Sequence, residues 1–329
     1  MARKTKSAKT KHYVGIDLGG TNLKLGLVTA AGKLVERLSR PTEAEGGPPH
    51  VIDRMAEAVR DLCRKAGVPL AGVAAVGIGS PGPVDTKRGI VVFAPNLPGW
   101  NDIHVREQLR KRLRRPVILE NDANVAGYGE FRCGVARKVR HMFLLTLGTG
   151  IGGGIILGGR LFRGVSDTGA ELGHMIICCN GRPCGCGMRG CLETYASATA
   201  VVARTKERIG AGGKSSLAGR KEFSCKDVFD AAAAGDALAA AIIEETAEYL
   251  AIGITSLLHI LNPEMVVLTG GMMGAGDAFL NRIRERVGQM AFKGASSVCE
   301  ICWSTLGGDA GILGAALAAE AFERTGQPA

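Results

Sequence analysis

Four residues between positions 174 and 191 could bind one metal ion together. They are a histidine and three cysteines: His174, Cys184, Cys186 and Cys191. Imidazole and thiolate are preferred ligands of tetrahedral Zn²⁺, and the short spacings with intervening glycines let the chain fold around one ion. The pattern predicts a structural zinc site, with buried free thiols as the alternative.

Other cysteines and two acids lie close to this cluster in sequence. Cys178 or Cys179 could replace one ligand, although adjacent cysteines seldom both face one metal. Glu171 and Glu193 bracket the cluster and, with four softer ligands available, we expect them to accept hydrogen bonds from hydroxyls of a polar substrate.

A second cysteine pair, Cys299 and Cys302, formally matches CxxC. It lies in the apparently extended run 297–304, without the helix that a thioredoxin-like motif needs. This context favours buried structural cysteines over a redox pair.

Two glycine-rich turns offer backbone N–H groups that could bind phosphate oxygens. The residues are Asp17, Gly19, Gly20, Thr21 and Asn22 in the first turn, and Gly148, Thr149 and Gly150 in the second. A carboxylate repels phosphate, so the expected partner of Asp17 is Mg²⁺ held through water. One glycine turn alone is commonly only a turn, but two copies could clamp one polyphosphate. Neither fits a P-loop or a dinucleotide motif.

The segment Glu120–Asn124 follows an apolar strand pattern and opens a helix pattern. Asp122 therefore stands at a helix N-terminus, where the helix dipole and free N–H groups keep a carboxylate ionised. Such a residue serves either as a helix cap or as a general base that accepts a hydroxyl proton. This segment alone leaves both roles open.

These residues are spaced among elements that alternate between strand and helix. Strand patterns occur at 72–80, 116–121 and 264–269, and helical patterns at 51–66, from Asp102 to Arg115, at 122–131, from Asp236 to Ile260, and at 309–322. The segments 12–28 and 142–162 both read as strand, glycine turn, strand. The alternation predicts α/β architecture, and the repeated hairpin predicts two similar halves.

The composition narrows the class of protein. The 329 residues include 41 Lys+Arg against 31 Asp+Glu, a net charge of +10, with 48 Gly and 10 Cys. Without a three-residue glycine period collagen is excluded, and 46% hydrophobic residues disfavour disorder. Sequence positions 1–12 are strongly basic and read as a disordered, solvated tail, with a nucleic-acid arm as the alternative. No export signal or membrane span is recognisable, so a cytoplasmic protein is expected.

Taken together, these residues resemble the ROK family of sugar kinases, within the actin-like ATPase superfamily, and within it the bacterial glucokinases. The resemblance extends from Tyr13 to about Phe322. It rests on the motifs DLGGTN at 17–22, GIGSPGPVD at 77–85, APNLPGW at 94–100, ENDAN at 120–124, LGTGIGGG at 147–154, ELGH at 171–174, CGCGMRGCLE at 184–193 and LTGG at 268–271.

The resemblance implies a duplicated, ribonuclease H-like α/β fold with two lobes and a ligand cleft between them. The smaller lobe would comprise residues 13–121, completed by the C-terminal helix 312–324. The larger lobe would comprise residues 122–311 and carry the zinc loop 174–191.

The resemblance also implies transfer of a phosphoryl group from ATP to the 6-hydroxyl of D-glucose, with Asp122 as the general base. The implied sugar-binding residues are Gly82, Asn96, Asn121, Asp122, Glu171, His174 and Glu193. The implied ATP- and Mg²⁺-binding residues are Asp17, Gly19, Gly20, Thr21, Asn22, Gly148, Thr149, Gly150, Gly270 and Gly271. His174 would both bind structural Zn²⁺ and orient its other ring nitrogen toward the sugar.

Several alternatives stay open within this family. An N-acetylmannosamine or N-acetylglucosamine kinase is the main one, and polyphosphate could replace ATP as donor. A sugar-responsive repressor is disfavoured because only sixteen residues precede Asp17, fewer than a winged helix-turn-helix needs. The resemblance implies a homo-oligomer, a dimer or tetramer, and we expect no specific nucleic acid and no membrane as partner.

Overall fold

The computed structural model describes residues 11–327 and 329, which form two compact units. Unit 1 comprises the described residues through Gly134, the segment Arg163–Thr168, and the described residues from Asp309 onward. Unit 2 comprises Val135–Phe162 and Gly169–Gly308. The chain therefore returns to unit 1 twice. Most of the expected basic tail, residues 1–12, lies outside the described residues.

The described residues contain thirteen strands. They are β1 (His12–Leu18), β2 (Asn22–Thr29), β3 (Leu34–Pro41), β4 (Val73–Ser80), β5 (Val84–Asp85), β6 (Ile90–Phe93), β7 (Asn101–Ile103), β8 (Val117–Asn121), β9 (Met142–Leu147), β10 (Ile151–Leu157), β11 (Arg160–Leu161), β12 (Met265–Thr269) and β13 (Glu300–Trp303).

The same residues contain ten α-helices. They are α1 (Gly47–Lys65), α2 (Val105–Leu113), α3 (Asp122–Cys133), α4 (Glu193–Ala196), α5 (Ala198–Gly210), α6 (Cys225–Ala233), α7 (Ala237–Leu261), α8 (Gly276–Met290), α9 (Lys293–Ser296) and α10 (Ala310–Thr325). None of these helices is long and apolar enough to cross a membrane.

Unit 1 is built on a five-stranded sheet of order β3-β2-β1-β4-β8. The predicted hairpin is present, because β1 and β2 pair antiparallel, whereas β4 pairs parallel with both β1 and β8. Successive side chains of a strand point to opposite faces. On β1, Val14 and Ile16 face the core shared with α1 and α2, whereas Gly15 faces α10.

Helix α10 packs very closely on this sheet and on α3 because glycines line the contacts. A Cβ atom on Gly15 would lie 1.8 Å from the carbonyl O of Ile312, and one on Gly314 would lie 1.6 Å from the carbonyl O of Val125. No side chain fits such gaps. Glycine thus lets α10 hold the strand that leads to the first turn and the helix that begins with Asp122.

Unit 2 is built on a second five-stranded sheet, of order β11-β10-β9-β12-β13. Its antiparallel hairpin β9–β10 lies beside β12, which pairs parallel with both β9 and β13. The same arrangement in both units confirms the predicted duplication. The buried face of α7 forms much of this core, and Asp236 caps α7 as predicted, accepting a hydrogen bond from the N–H of Ala239 at 3.0 Å.

Two boundaries differ from the sequence-based expectation. The helix expected from Asp102 to Arg115 is shorter, because Asn101–Ile103 pairs with β6 in a small third sheet and only Val105–Leu113 is helical. The boundary expected at residue 122 would separate α3 from α10, against which it packs, whereas the compact unit continues to Gly134.

Candidate active site

The expected site residues divide between the two units. Unit 1 contains Asp17, Gly19, Gly20, Thr21, Asn22, Gly82, Asn96, Asn121 and Asp122. Unit 2 contains Gly148, Thr149, Gly150, Glu171, His174, Cys184, Cys186, Cys191, Glu193, Gly270 and Gly271.

The turn between β1 and β2 is held by its own backbone and by Thr42. The N–H of Gly19 donates to the carbonyl O of Asn22 at 3.1 Å, and the Thr42 hydroxyl donates to the carbonyl O of Gly19 at 2.6 Å. Gly20 passes so close to Asn96 that a Cβ atom there would lie 2.8 Å from the Asn96 carbonyl O. The fold thus brings the expected phosphate turn and Asn96 together.

Asp17 lies near the end of β1, beside the start of α10. A Cβ atom on Gly311 would lie 3.3 Å from the Asp17 Cγ, and the Lys24 Nζ lies 4.0 Å from Asp17 Oδ2. Burial raises the pKa of Asp17, and Lys24 only partly opposes this rise. The negative charge of Asp17 is therefore incompletely compensated by the protein, as is typical of a carboxylate that binds a cation.

Asn121 caps α3. Its Oδ1 accepts hydrogen bonds from the N–H groups of Ala123 and Asn124 at 2.9 and 3.1 Å, and its Nδ2 donates to the carbonyl O of Gly82 at 3.3 Å. Gly82 adopts a positive φ of 75°, and a Cβ atom there would lie 2.0 Å from the carbonyl O of Phe93. Asn121 thus joins α3 to the Gly82 loop.

Asp122 is the first residue of α3, directly after the buried strand β8. Its Oδ1 accepts a hydrogen bond from the N–H of Ala123 at 2.8 Å. Asn121 caps the helix with a neutral amide. The carboxylate of Asp122 therefore brings the negative charge at the positive end of the helix. That location stabilises the ionised form, which a general base requires.

The four predicted zinc ligands lie together. Their ligand atoms are all within 4.8 Å of one another. The Sγ atoms of Cys186 and Cys191 are 3.7 Å apart, and His174 Nδ1 is 3.6 Å from Cys184 Sγ. Tetrahedral Zn²⁺ with ordinary bond lengths separates two thiolates by about 3.8 Å, and a thiolate from an imidazole nitrogen by about 3.6 Å. The donor set and its spacing fit zinc.

Cys178 and Cys179 are exposed and stand apart from this cluster. Tyr195 instead supports the loop there, since its hydroxyl accepts a hydrogen bond from the N–H of Arg182 at 2.7 Å.

Cys299 and Cys302 stand outside the metal cluster as well, and burial raises the pKa of Cys299 to about 12. A thiol with so high a pKa is a poor nucleophile near neutral pH, so the structure favours structural cysteines.

Glu193 connects the metal cluster to the second glycine turn. Its Oε1 lies 3.1 Å from Cys184 Sγ and 3.6 Å from His174 Nδ1, while its Oε2 accepts a hydrogen bond from the N–H of Ile151 at 3.4 Å. A Cβ atom on Gly150 would lie 2.8 Å from the same Oε2. Because residue 150 has no side chain, the Glu193 carboxylate can lie beside the turn.

Glu171 lies just before the short 3₁₀ helix Leu172–His174 and is exposed. Partial desolvation raises the pKa of Glu171; the charge of His174 opposes the rise and that of Glu193 adds to it. Glu171 and Glu193 thus interact electrostatically with each other and with His174 of the metal cluster.

The second glycine turn borders a groove whose lining the sequence did not reveal. Thr149 lines a cavity of about 430 Å³ with Thr199, Lys206 and Cys225. These residues come from α5 and the start of α6, elements with no recognisable ligand motif.

Gly270 has a positive φ of 100°, and a Cβ atom there would lie 2.5 Å from the carbonyl O of Leu147 at the end of β9.

Comparisons with known proteins agree with these features. The model of the ROK family matches residues 13–321. A glucokinase of Thermotoga maritima is 41% identical over 307 residues, which cover 92% of this chain and 95% of that protein. A ROK hexokinase of Thermus thermophilus has a TM-score of 0.84 at 35% identity, with 95% and 99% of the two chains covered. A ROK family glucokinase of Streptomyces griseus in complex with glucose and AMPPNP has a TM-score of 0.77 at 34% identity, with 93% and 98% covered.

Proposed function

Because this chain belongs to the ROK family, we propose that it is an ATP-dependent glucokinase. The reaction transfers the terminal phosphoryl group of ATP to the 6-hydroxyl of D-glucose. Phosphoryl transfer needs positioning and neutralisation of charge more than covalent catalysis. Sequence identity of 41% to one glucokinase and 34% to another, over nearly the full lengths, supports glucose as the sugar.

Asp122 stands where a general base is expected, and its position supports this proposal. Its carboxylate stands on the first turn of α3, which Asn121 caps and which follows a buried strand. In the proposed reaction Asp122 accepts the proton of the 6-hydroxyl as that oxygen attacks the terminal phosphorus. A base held on a rigid helix start can be positioned for that proton transfer.

Two groups of residues are proposed to bind the sugar. Asn121, Gly82 and Asn96 belong to unit 1, whereas Glu171, His174 and Glu193 belong to unit 2. Glu171 and Glu193 offer acceptors for sugar hydroxyls. With His174 Nδ1 directed at the cysteines, Nε2 is the ring nitrogen that would bind the sugar.

The proposed donor site consists of the two glycine turns and Asp17. The N–H groups of Gly19 to Asn22 and of Gly148 to Gly150 would bind phosphate oxygens, and the groove beside Thr149 would accept part of the nucleotide. Asp17, whose charge Lys24 compensates only in part, would hold Mg²⁺. The cation would neutralise phosphate charge in the reaction.

Structural Zn²⁺ bound by His174, Cys184, Cys186 and Cys191 completes the proposal. The ion would fix the loop 174–191 and the orientation of the His174 ring. Its role is structural, because four protein ligands leave no open coordination position.

A coupled assay of ADP release from Mg-ATP tests the substrate. It compares glucose with mannose, fructose, N-acetylmannosamine and N-acetylglucosamine, and it is repeated with polyphosphate as donor. We expect the highest kcat/KM with glucose and ATP. Turnover of an N-acetylated sugar without turnover of glucose would assign the chain to another ROK kinase.

A further inference from the structure

A buried ion pair stands directly behind the proposed base. Glu120, the residue before Asn121, is only 2% exposed, and the side chain of Arg163 is 14% exposed. The Arg163 Nε donates to Glu120 Oε2 at 2.5 Å. A buried carboxylate is tolerated only when it is paired and hydrogen-bonded, so Glu120 depends on this arginine.

The other oxygen of Glu120 holds the first turn of α3. Glu120 Oε1 accepts hydrogen bonds from the backbone N–H of Asn121 and from Asn124 Nδ2, both at 3.0 Å. Asn121 in turn caps the N–H groups of Ala123 and Asn124. Glu120, Asn121 and Asn124 therefore enclose the turn from which Asp122 projects.

Arg163 is distant in sequence and reaches this turn because the chain returns to unit 1. The segment Arg163–Thr168 belongs to unit 1, although unit 2 precedes and follows it. Asp167 holds the other end of the segment, since its Oδ2 accepts hydrogen bonds from Thr86 N and Thr86 Oγ1, both at 2.9 Å. Arg163 also donates through Nη1 to the carbonyl O of Ala329 at 2.9 Å.

We propose that Arg163 is a positioning residue for phosphoryl transfer, acting through Glu120 to fix the helix start that carries Asp122. This inference rests on the proposed function. Its physical basis is that displacement of a catalytic group by about 1 Å can cost about a hundredfold in rate. Without Arg163, Glu120 loses the charged partner of its buried carboxylate, and this loss disturbs its hold on Asn121.

The test compares Arg163→Met with Arg132→Met, which breaks a matched ion pair at the other end of the same helix. Arg132, on the last turn of α3, donates to the buried Glu320 at 3.2 Å. We expect R163M to lower kcat at least about tenfold while KM for glucose changes less than about threefold, because the displaced group acts mainly in the transition state. R132M should lower Tm but leave kcat unchanged, and R163K, which keeps a cation for Glu120, should recover part of kcat.

A double-mutant cycle with Asp122→Asn shows whether Arg163 acts through the base. If it does, R163M has little further effect on kcat in the D122N protein, because the group that it positions is already lost. Equal fold-losses in the D122N and unmodified proteins would overturn the inference, as would a drop in kcat for R132M as large as that for R163M. If R163M has a low Tm, the double variant E120M/R163M removes both buried charges together with the acceptor for Asn121 and Asn124, so it should keep the loss of kcat at a recovered Tm.

The cycle also separates this inference from the proposed function. It is run with whichever hexose the unmodified chain phosphorylates best. If the chain prefers another hexose, the proposed substrate is wrong. The same double-mutant cycle, run with that hexose, still tests the role of Arg163. Absence of any hexose kinase activity would contradict both proposals.

Discussion

At the scale of single residues, Asp122 carries the largest expected effect. Asp122→Asn keeps the size of the side chain and removes the proton acceptor, so kcat should fall by about 10² to 10⁴. Steady-state kinetics with circular dichroism checks this. Asp53→Asn, which changes an exposed carboxylate on α1, serves as control and should retain full activity. Near-normal turnover of folded D122N protein would refute the assignment of the base.

Asp17 gives a pH-dependent prediction with a defined sign. Because burial raises its pKa in the folded state, the folded protein favours the protonated form. Its contribution to stability is present below the unfolded pKa, near 3.8, and is lost as pH rises through the folded pKa. Asp17→Asn should therefore be more stable than the unmodified chain near pH 7, and the difference should shrink toward about pH 4.

Denaturant unfolding across that pH range measures this difference. The same variant should lose kinase activity, since Asp17 is the proposed Mg²⁺-binding carboxylate. A gain in stability together with a loss of activity would identify Asp17 as a group kept for function. A variant that is less stable at pH 7 would contradict the sign of the shift.

At the scale of elements, close contact between α10 and α3 depends on glycine. A Cβ atom on Gly314 would lie 1.6 Å from a backbone oxygen, so Gly314→Ala must push the two helices apart. We expect a loss of several kcal/mol of stability or failure to fold, as with other overpacked backbone contacts. Thermal unfolding provides the measurement.

Gly288, on α8, is the matched control. A Cβ atom on Gly288 would meet no heavy atom within 4 Å beyond the adjacent residues and the backbone of its own helix, and its φ is not positive. Gly288→Ala should therefore stabilise the protein by up to about 1 kcal/mol, because alanine favours the helix. Equal effects of the two substitutions would contradict the packing argument.

Most helices and strands could be predicted from the sequence because their residue patterns are local. The two hairpins, the capped helix after Asp236 and the cluster of His174 with three cysteines each depend on residues close together in the chain. The strand β3 was missed, since Leu34–Pro41 alternates with polar residues at a sheet edge and lacks an apolar run. The return of residues 163–168 to unit 1 was missed as well, because it rests on the distant partners Glu120 and Thr86.

At the scale of the whole molecule, the zinc loop should determine stability. Freshly purified protein should contain one zinc ion per chain, and a chelator should lower Tm, because a structural metal contributes directly to folding. Cys186→Ser should lose the ion, whereas Cys178→Ser, in the same loop but outside the cluster, should keep it. Well under one zinc per chain in the unmodified protein would refute the site.

As a glucokinase, this chain would transfer a phosphoryl group from ATP to glucose. The most direct measurement follows ADP and glucose 6-phosphate together after the full chain is mixed with glucose and Mg-ATP. The proposed activity predicts equal amounts of both products, formed rapidly by the unmodified chain and at a rate lower by about 10² or more by D122N. Formation of ADP without glucose 6-phosphate, or equal rates for the two proteins, would contradict it.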